Sequence, residues 1–280
     1  MPTTMAMSRT GFQRAAAAAA ALLIAATATA APLAAQEGAQ PRLFFTVNAG
    51  VVFGGNLWTV DRQPVAIIGG AAFDTMRISR QLTSGLAVGL TATLYTSAHL
   101  GFSFEAEYLG QVIDDACTMV FESGLDPQRR NAQVCETMDQ IQPTASTTGF
   151  YLGANYRFSP RGAFSPYVRL QGGVSLRNTS VVEASGVFVG DDNSIQERVI
   201  IQDRSGTRVA PTAGIALGVI IPLSPSYLVS FEVRDHLIQM QRVTGPAVVG
   251  IAPTENYYMN AFAVTFGFSI VLEKKRGRRY

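Results

Sequence analysis

Histidine, cysteine and charged residues are scarce in this sequence. The 280 residues include two histidines, two cysteines and one tryptophan, and only 15% of them are charged. The formal net charge is +2, which gives no indication of nucleic-acid binding. With so few histidines and cysteines, no cluster of metal ligands is expected. We predict neither a metal site nor a cofactor, and no nucleotide-binding loop is recognisable.

Long apolar runs are also missing from most of the chain. Beyond residue 35 no stretch reaches the roughly 18 uninterrupted apolar residues of a membrane helix. Yet 48% of the whole chain is hydrophobic. This combination favours either a compact secreted β protein or a β-barrel that crosses a membrane with strands.

The N-terminal segment has the order of a secretory signal. Arg9 and Arg14 precede an alanine-rich apolar run at 15–31, and small residues follow it. We predict that residues 1–35 form a signal peptide cleaved after Ala35, with cleavage after Ala30 as the alternative. An uncleaved inner-membrane anchor is the competing interpretation, which the predominance of alanine over leucine disfavours.

The two cysteines are predicted to form one disulfide. Export places Cys117 and Cys135 in an oxidising compartment, where pairing is the default. The residues between them are mostly polar and are interpreted as a loop. Closing a loop of this size stabilises the fold by about 3 kcal/mol in the chain-entropy model.

Apolar and polar residues alternate with period two through most of the chain, which predicts β-strands. In the last predicted strand, Phe266, Phe268 and Ile270 share one face, and small or polar residues occupy the other. Eight strands are predicted in this way, at about 43–53, 85–96, 100–113, 147–158, 167–177, 210–222, 227–240 and 257–272.

The connections between these strands alternate in length. Strands 2–3, 4–5 and 6–7 are joined by short turns, and the other consecutive pairs by longer polar segments. Short turns at one end and long loops at the other are typical of outer-membrane barrels, whose short turns face the periplasm. The long segment 54–84 leaves room for a further hairpin, so ten strands are the alternative count.

The polar faces of the strands decide which side of the barrel meets lipid. An arginine facing mid-bilayer lipid costs about 2–4 kcal/mol, so charged residues of a membrane barrel must face the lumen. Aromatic residues also cluster near the turn ends, as expected for an interfacial girdle. A soluble barrel with a charged exterior is the alternative. The predicted lumen charges are Glu105, Glu107, Arg157, Arg169, Arg177, Glu232 and Arg234.

These lumen charges predict an internal salt-bridge network. Eight strands enclose a space that side chains just fill, and buried charges must pair because desolvation costs several kcal/mol per ion. The prediction is therefore a mostly plugged lumen. The alternative is a narrow path for ions or small solutes, gated by the same ion pairs.

Four segments carry a resemblance to a known group of proteins: LGFSFEAEYLG, SPYVRLQGGVSL, LSPSYLVSFEVRDH and AFAVTFGFSIVL. The chain resembles the small outer-membrane β-barrels related to the OmpA membrane domain and OmpW. The resemblance implies an all-β fold, a transmembrane antiparallel up-and-down β-barrel over 36–272, in the outer membrane of a Gram-negative-type cell.

The resemblance also implies partners. The final strand is similar to the C-terminal signal read by the barrel-assembly machinery, although here a basic tail at 273–280 follows it. That tail is expected to extend into the periplasm. Outer-membrane lipids and lipopolysaccharide are the expected surroundings, no nucleic acid is expected to bind, and the expected oligomeric state is a monomer.

The sequence gives little support to an enzyme. Some eight-stranded outer-membrane barrels modify lipid A with a histidine, a serine and an acid. Here His99 falls in a predicted periplasmic turn, and His236 follows Asp235, whose side chain points to the opposite face of a strand. We therefore predict no catalytic residues, and a lipid-modifying enzyme stays as the second alternative.

Overall fold

The computed structural model describes most of the chain after residue 41. The predicted signal peptide at 1–35 and the basic tail at 273–280 lie outside the described residues. The described residues are 42–70, 72–138, 140, 144–160, 162–178, 181–202, 209–248 and 250–272.

Strands dominate the described residues. Within them, no helix has both the length and the apolarity needed to cross a membrane. The strands are β1 Arg42–Val52, β2 Asn56–Ala66, β3 Phe73–Leu82, β4 Gly85–Tyr95, β5 Leu100–Phe121, β6 Thr144–Arg157, β7 Ser165–Arg177, β8 Ala184–Val189, β9 Ile195–Ile201, β10 Val209–Pro222, β11 Tyr227–Val243 and β12 Thr254–Leu272, and the helix is α1, Arg130–Met138.

Eight of these strands close into a ring. The order is β1-β4-β5-β6-β7-β10-β11-β12, and β12 pairs again with β1. Every neighbouring pair is antiparallel. Closure pairs both edges of the sheet, so the ring offers no open edge. The predicted eight-stranded up-and-down barrel is confirmed.

The long first connection does contain the extra hairpin that the sequence left open. Strands β2 and β3 pair with each other, and β3 pairs with the outer part of β5, from Ile113 to Phe121. Neither strand enters the ring, so the ten-stranded alternative is wrong. The hairpin instead extends β5 beyond the barrel, because β3 supplies a hydrogen-bonding partner where β6 no longer does.

The outward face of the ring is apolar. On β12 the outward residues Phe262, Val264, Phe266, Phe268 and Ile270 are 40–45% exposed, whereas the inward residues between them are buried. Large apolar residues are exposed in the same alternating way on the other ring strands. This is the inverse of a soluble barrel and matches the lipid-facing apolar band, about 25 Å tall, of transmembrane barrels.

Short turns lie at one end of the ring, at 96–99, 158–164 and 223–226. His99 is in the first of them, as predicted, with its Nδ1 2.7 Å from the carbonyl oxygen of Arg157. We call this the turn end. The long connections gather at the other end, which we call the loop end.

The loop end carries a folded cap, which we define as β2, β3, the outer part of β5, α1 and the β8–β9 hairpin. Its side chains form a buried apolar cluster. Helix α1 contributes Val134 and Met138, one helical turn apart and both fully buried. The other cap members of the cluster include Trp58, Met76, Ile78, Ala184 and Ile201.

A buried ion pair holds two cap strands together. Arg80 on β3 contacts Asp115 on β5 through Nε and Nη2, and it also donates to the carbonyl oxygen of Glu183. Its guanidinium lies 5.4 Å from the centroid of the Trp58 ring. Both charged side chains are at most 4% exposed. Nothing in the local sequence around Arg80 or Asp115 indicates this pair.

The predicted disulfide between Cys117 and Cys135 is confirmed, with the two Cα atoms 5.2 Å apart. The interpretation of the residues between the two cysteines as a loop is correct only for 122–129, because 118–121 continue β5 and 130–134 belong to α1. Cys117 lies on β5, which continues because β3 pairs with it, and Cys135 lies in α1. Asp126 precedes the helix and accepts the backbone N–H of Arg130 at 2.8 Å, which satisfies one of the free donors there.

Loss of the disulfide should loosen the cap while the ring stays folded. In the double variant Cys117→Ser, Cys135→Ser, α1 loses its covalent tie to β5, worth about 3 kcal/mol in the chain-entropy model. Limited proteolysis of intact cells or liposomes should then cut α1, at 130–138, faster than it does in the oxidised wild type. Migration of the unheated protein on SDS gels should stay that of the folded barrel, and loss of that band would contradict the division into ring and cap.

Candidate functional site

Five of the seven predicted lumen charges meet in the middle of the barrel. They are Glu105 and Glu107 on β5, Arg169 on β7, and Glu232 and Arg234 on β11. None is more than 4% exposed. Their inward direction follows from the period of two, which places every second residue of a strand on the lumen side.

The five charges form a connected network, which we call the lumen cluster. Arg169 Nη1 lies 3.1 Å from Glu105 Oε2, and Arg234 Nη1 lies 2.9 Å from Glu107 Oε1. Both arginines also contact Glu232, and Arg234 contacts Glu105. Each carboxylate therefore has at least one guanidinium partner, as burial of charge requires.

The other two predicted charges do not join the cluster. Arg157 lies nearer the turn end, where its guanidinium stacks 3.7 Å from the centroid of the Tyr95 ring and donates to the carbonyl oxygen of Ala98. Arg177 lies at the outer end of β7, opposite Thr147 on β6. Alternation predicted the faces of these residues correctly but gave no information on their heights in the barrel.

His236 is part of the site although the sequence analysis did not place it there. Its side chain is fully buried, its Nε2 lies 3.1 Å from Glu107 Oε2, and its ring centroid is 5.2 Å from that of Tyr151. Tyr167 is a second addition, since its hydroxyl donates to Glu232. The alternation in the sequence could have indicated His236, because residues two apart on a strand share a face and His236 follows Glu232 and Arg234 at that spacing on β11.

The charge balance of the cluster differs from the sequence expectation. With Arg157 and Arg177 elsewhere, three carboxylates face two guanidinium groups. An uncompensated charge in this buried position costs several kcal/mol. Among the described side chains in the cluster, His236 is the additional base. A proton held between its Nε2 and Glu107 Oε2 can balance the charge of the third carboxylate.

Inward glycines make room for the large polar side chains. A Cβ atom at Gly149 would lie 2.4 Å from the Tyr151 ring, and one at Gly218 would lie 2.6 Å from the Tyr167 ring. Both distances are far below van der Waals contact. Glycine at these two positions therefore lets the tyrosines lie flat against the inner wall beside the charges.

Apolar layers lie on both sides of the lumen cluster. Toward the turn end, Phe44, Tyr95, Leu228 and Val271 form a buried apolar layer. Between it and the cluster is a polar cavity of about 30 Å³, room for one or two water molecules. Toward the loop end, inward residues continue directly into the buried core of the cap, among them Ala87, Leu109, Ile238, Met259 and Ala263.

The composition of the cluster is unsuited to metal binding. No group of three or more histidine, cysteine, aspartate or glutamate residues is placed to hold a metal ion in the part of the chain that the structure describes. Arg169 and Arg234 lie between the carboxylates instead. The arrangement pairs charges with one another and does not offer them to a cation.

Comparison with known proteins identifies no family for this chain. No family model matches the sequence, and no curated protein matches it significantly. The structure is similar to that of OprG from Pseudomonas aeruginosa, with 13% identity over 83% of this chain and 96% of OprG, at a TM-score of 0.49. The neisserial surface protein NspA matches with 11% identity over 81% of this chain and 96% of its own, at a TM-score of 0.39.

The outer-membrane protein AlkL, solved in lipid bilayers, matches with 13% identity over 88% of this chain and 97% of its own, at a TM-score of 0.43. The three sequence identities are too low to show that this chain shares a family with any of these proteins, and all three TM-scores are below 0.5. The assignment of an eight-stranded transmembrane barrel to this chain therefore rests on its own closed ring and outward apolar face.

Proposed function

We propose that this protein is an outer-membrane β-barrel with a structural or interaction role and a closed lumen. The observation that supports the closed lumen is the succession of layers along the barrel axis. An apolar layer at the turn end, the lumen cluster and the apolar core of the cap follow one another. An ion crossing the barrel would have to displace all three.

The energetics of the cluster support the same proposal. Opening a path would separate Arg169 and Arg234 from their carboxylates, each of which is buried. The cost of leaving one buried charge unpaired is about 3–5 kcal/mol. The small polar cavity beside Arg169 does not offset this cost, because the aromatic side chains of Phe44 and Tyr95 line it toward the turn end.

The proposed location is the outer membrane. Its supports are the outward apolar band, the predicted signal peptide at 1–35 and the difference between short turns and long connections. With the turn end in the periplasm, the cap faces the outside of the cell, and the barrel wall contacts lipids and lipopolysaccharide. Insertion would use the barrel-assembly machinery, and the cap would provide the contacts with external partners.

A narrow passive channel is the second candidate. The observation in its favour is the polar cavity of about 30 Å³ directly beside the cluster, since rearrangement of Arg169 and Glu232 would enlarge it. A lipid-modifying enzyme is less well supported. Its histidine would have to face lipid, whereas His236 is fully buried and in contact with Glu107.

Conductance measurements separate the closed barrel from the channel. Purified wild-type protein in planar bilayers should give no single-channel steps, because three layers obstruct the lumen. Truncation in all three layers, as in Phe44→Ala combined with Arg234→Ala and Leu109→Ala, should introduce steps. Wild-type steps that disappear in Arg234→Ala or Glu232→Ala would contradict the closed lumen.

Stability measurements test the pairing in the lumen cluster. Arg234→Met leaves Glu105, Glu107 and Glu232 short of a partner and should lower the free energy of unfolding by about 3–5 kcal/mol. The matched control is Arg242→Met, because Arg242 pairs with Glu255 while about 45% exposed. An exposed pair contributes about 0–1 kcal/mol. Denaturant unfolding in the same micelles compares the two, and equal losses would show that burial of the pair does not matter.

Cell fractionation tests the location. The full-length protein, expressed in a Gram-negative host, should sediment with the outer membrane and migrate faster on SDS gels before heating than after it. Arg234→Met should keep the location and convert to the slow form at a lower temperature. A processed protein that stays soluble without detergent would contradict the membrane barrel.

A further inference from the structure

The cap contains a cleft that the closed barrel does not explain. Its volume is about 530 Å³, within the 300–1,000 Å³ of small-molecule sites. Three segments far apart in the sequence line it: the β2–β3 hairpin where β2 ends and β3 begins, β9 with Gln202, and the connection between β11 and β12. Convergence of separate segments on one concavity is typical of ligand sites.

Buried polar contacts hold the walls of the cleft in place. Gln63 is 2% exposed, and it accepts the backbone N–H of Ala247 at 2.7 Å and donates to the carbonyl oxygen of Ala247 at 3.0 Å. These two bonds fix the β11–β12 connection against β2. The cleft is therefore preorganised, and a ligand would bind without first ordering its walls.

Arg198 is the only charged residue among the described residues that line the cleft. Its Nη2 donates at 2.8 Å to the carbonyl oxygen of Ala66, which also lines the cleft, and its Nη1 donates at 2.7 Å to Asn131 Oδ1 on α1. A guanidinium has five N–H donors. With two donated to described residues, three are left for a ligand.

Nearby carboxylates are occupied by other donors. Asp74 accepts hydrogen bonds from Ser123 and Asn131, and Asp126 accepts the backbone N–H groups of Gln128 and Arg130. Burial would raise the pKa of Asp74, but these bonds and the charge of Arg198 outweigh it and hold the pKa below its usual value. Within the described residues, no carboxylate forms an ion pair with Arg198 within 4.0 Å.

The remaining lining is mainly apolar, with Val65, Phe73, Val199 and Ile200 among its members. We propose that the cleft binds a small amphipathic anion, whose carboxylate or sulfonate meets Arg198 and whose apolar part lies against these side chains. The carbonyl oxygens of Val65 and Ala66 already accept bonds from Asn131, and Ala66 from Arg198 too. This favours a small molecule over an added peptide strand. The proposal deepens the interaction role proposed above and does not depend on whether the lumen conducts.

The test uses the full-length protein, purified and reconstituted in lipid nanodiscs, with 4-phenylbutanoate as the probe. Saturable binding by calorimetry is expected, with much weaker binding of 4-phenylbutylamine, which has the same apolar part and the opposite charge. Arg198→Gln should weaken binding of the carboxylate about tenfold or more, because it removes a charged hydrogen-bond donor. The matched control, Arg129→Gln, removes an exposed arginine outside the cleft and should leave binding unchanged.

A second variant covers the case in which Arg198→Gln disturbs the cap. Val199→Trp keeps the guanidinium and fills the cleft from a position that is 42% exposed, so it should abolish binding while the cap stays resistant to protease. The proposal is overturned if the amine binds as well as the carboxylate, if both cleft variants bind like wild type, or if no saturable binding to wild type occurs. Conductance of the same purified protein in planar bilayers tests the closed lumen independently of ligand binding in the cleft.

Discussion

Closure of the sheet between β1 and β12 is the constraint on which the rest of this structure depends. In lipid, no water is available to satisfy backbone N–H and C=O groups, so a strand can cross only if both of its edges are paired. The first and last ring strands pair over ten consecutive residue pairs, from Leu43–Leu272 to Val52–Ala263. Once that register is set, each strand has one face toward lipid and one toward the lumen, and the composition of each face follows.

The inner face then imposes its own condition. Eight strands leave a lumen that side chains fill, so polar groups placed there must find partners within the barrel. The lumen cluster satisfies the condition through Arg169 and Arg234, and glycines at Gly149 and Gly218 give space to the neighbouring tyrosines. Two apolar layers flank the cluster, one toward each end of the barrel. The charged network is therefore one part of a packed interior, and it is continuous with the core of the cap.

Period-two alternation was enough to predict the ring strands and their inward and outward faces, and the lengths of the connections distinguished the two ends of the barrel. Alternation could not predict how far along the barrel axis each inward residue lies. Arg157 and Arg177 share the lumen face with Arg169 but lie at other levels, because level depends on the stagger between paired strands, which no local pattern encodes. Alternation places His236 on the face of Glu232 and Arg234, but its contact with Glu107 depends on the stagger between β11 and β5, which the sequence does not show.

The structure of the cap was even harder to predict from the sequence than the heights of the lumen residues. Helix α1 and the outer part of β5 lie where a polar loop was expected, since the local composition is polar and the stabilising contacts come from distant residues. Arg80 meets Asp115 only because β3 pairs with β5, and Gln63 meets Ala247 only because β2 lies beside the β11–β12 connection. These are long-range contacts between segments that each look irregular in isolation. The ring can therefore be predicted from local alternation, whereas the cap cannot, because its stability comes from contacts between segments that are distant in the sequence.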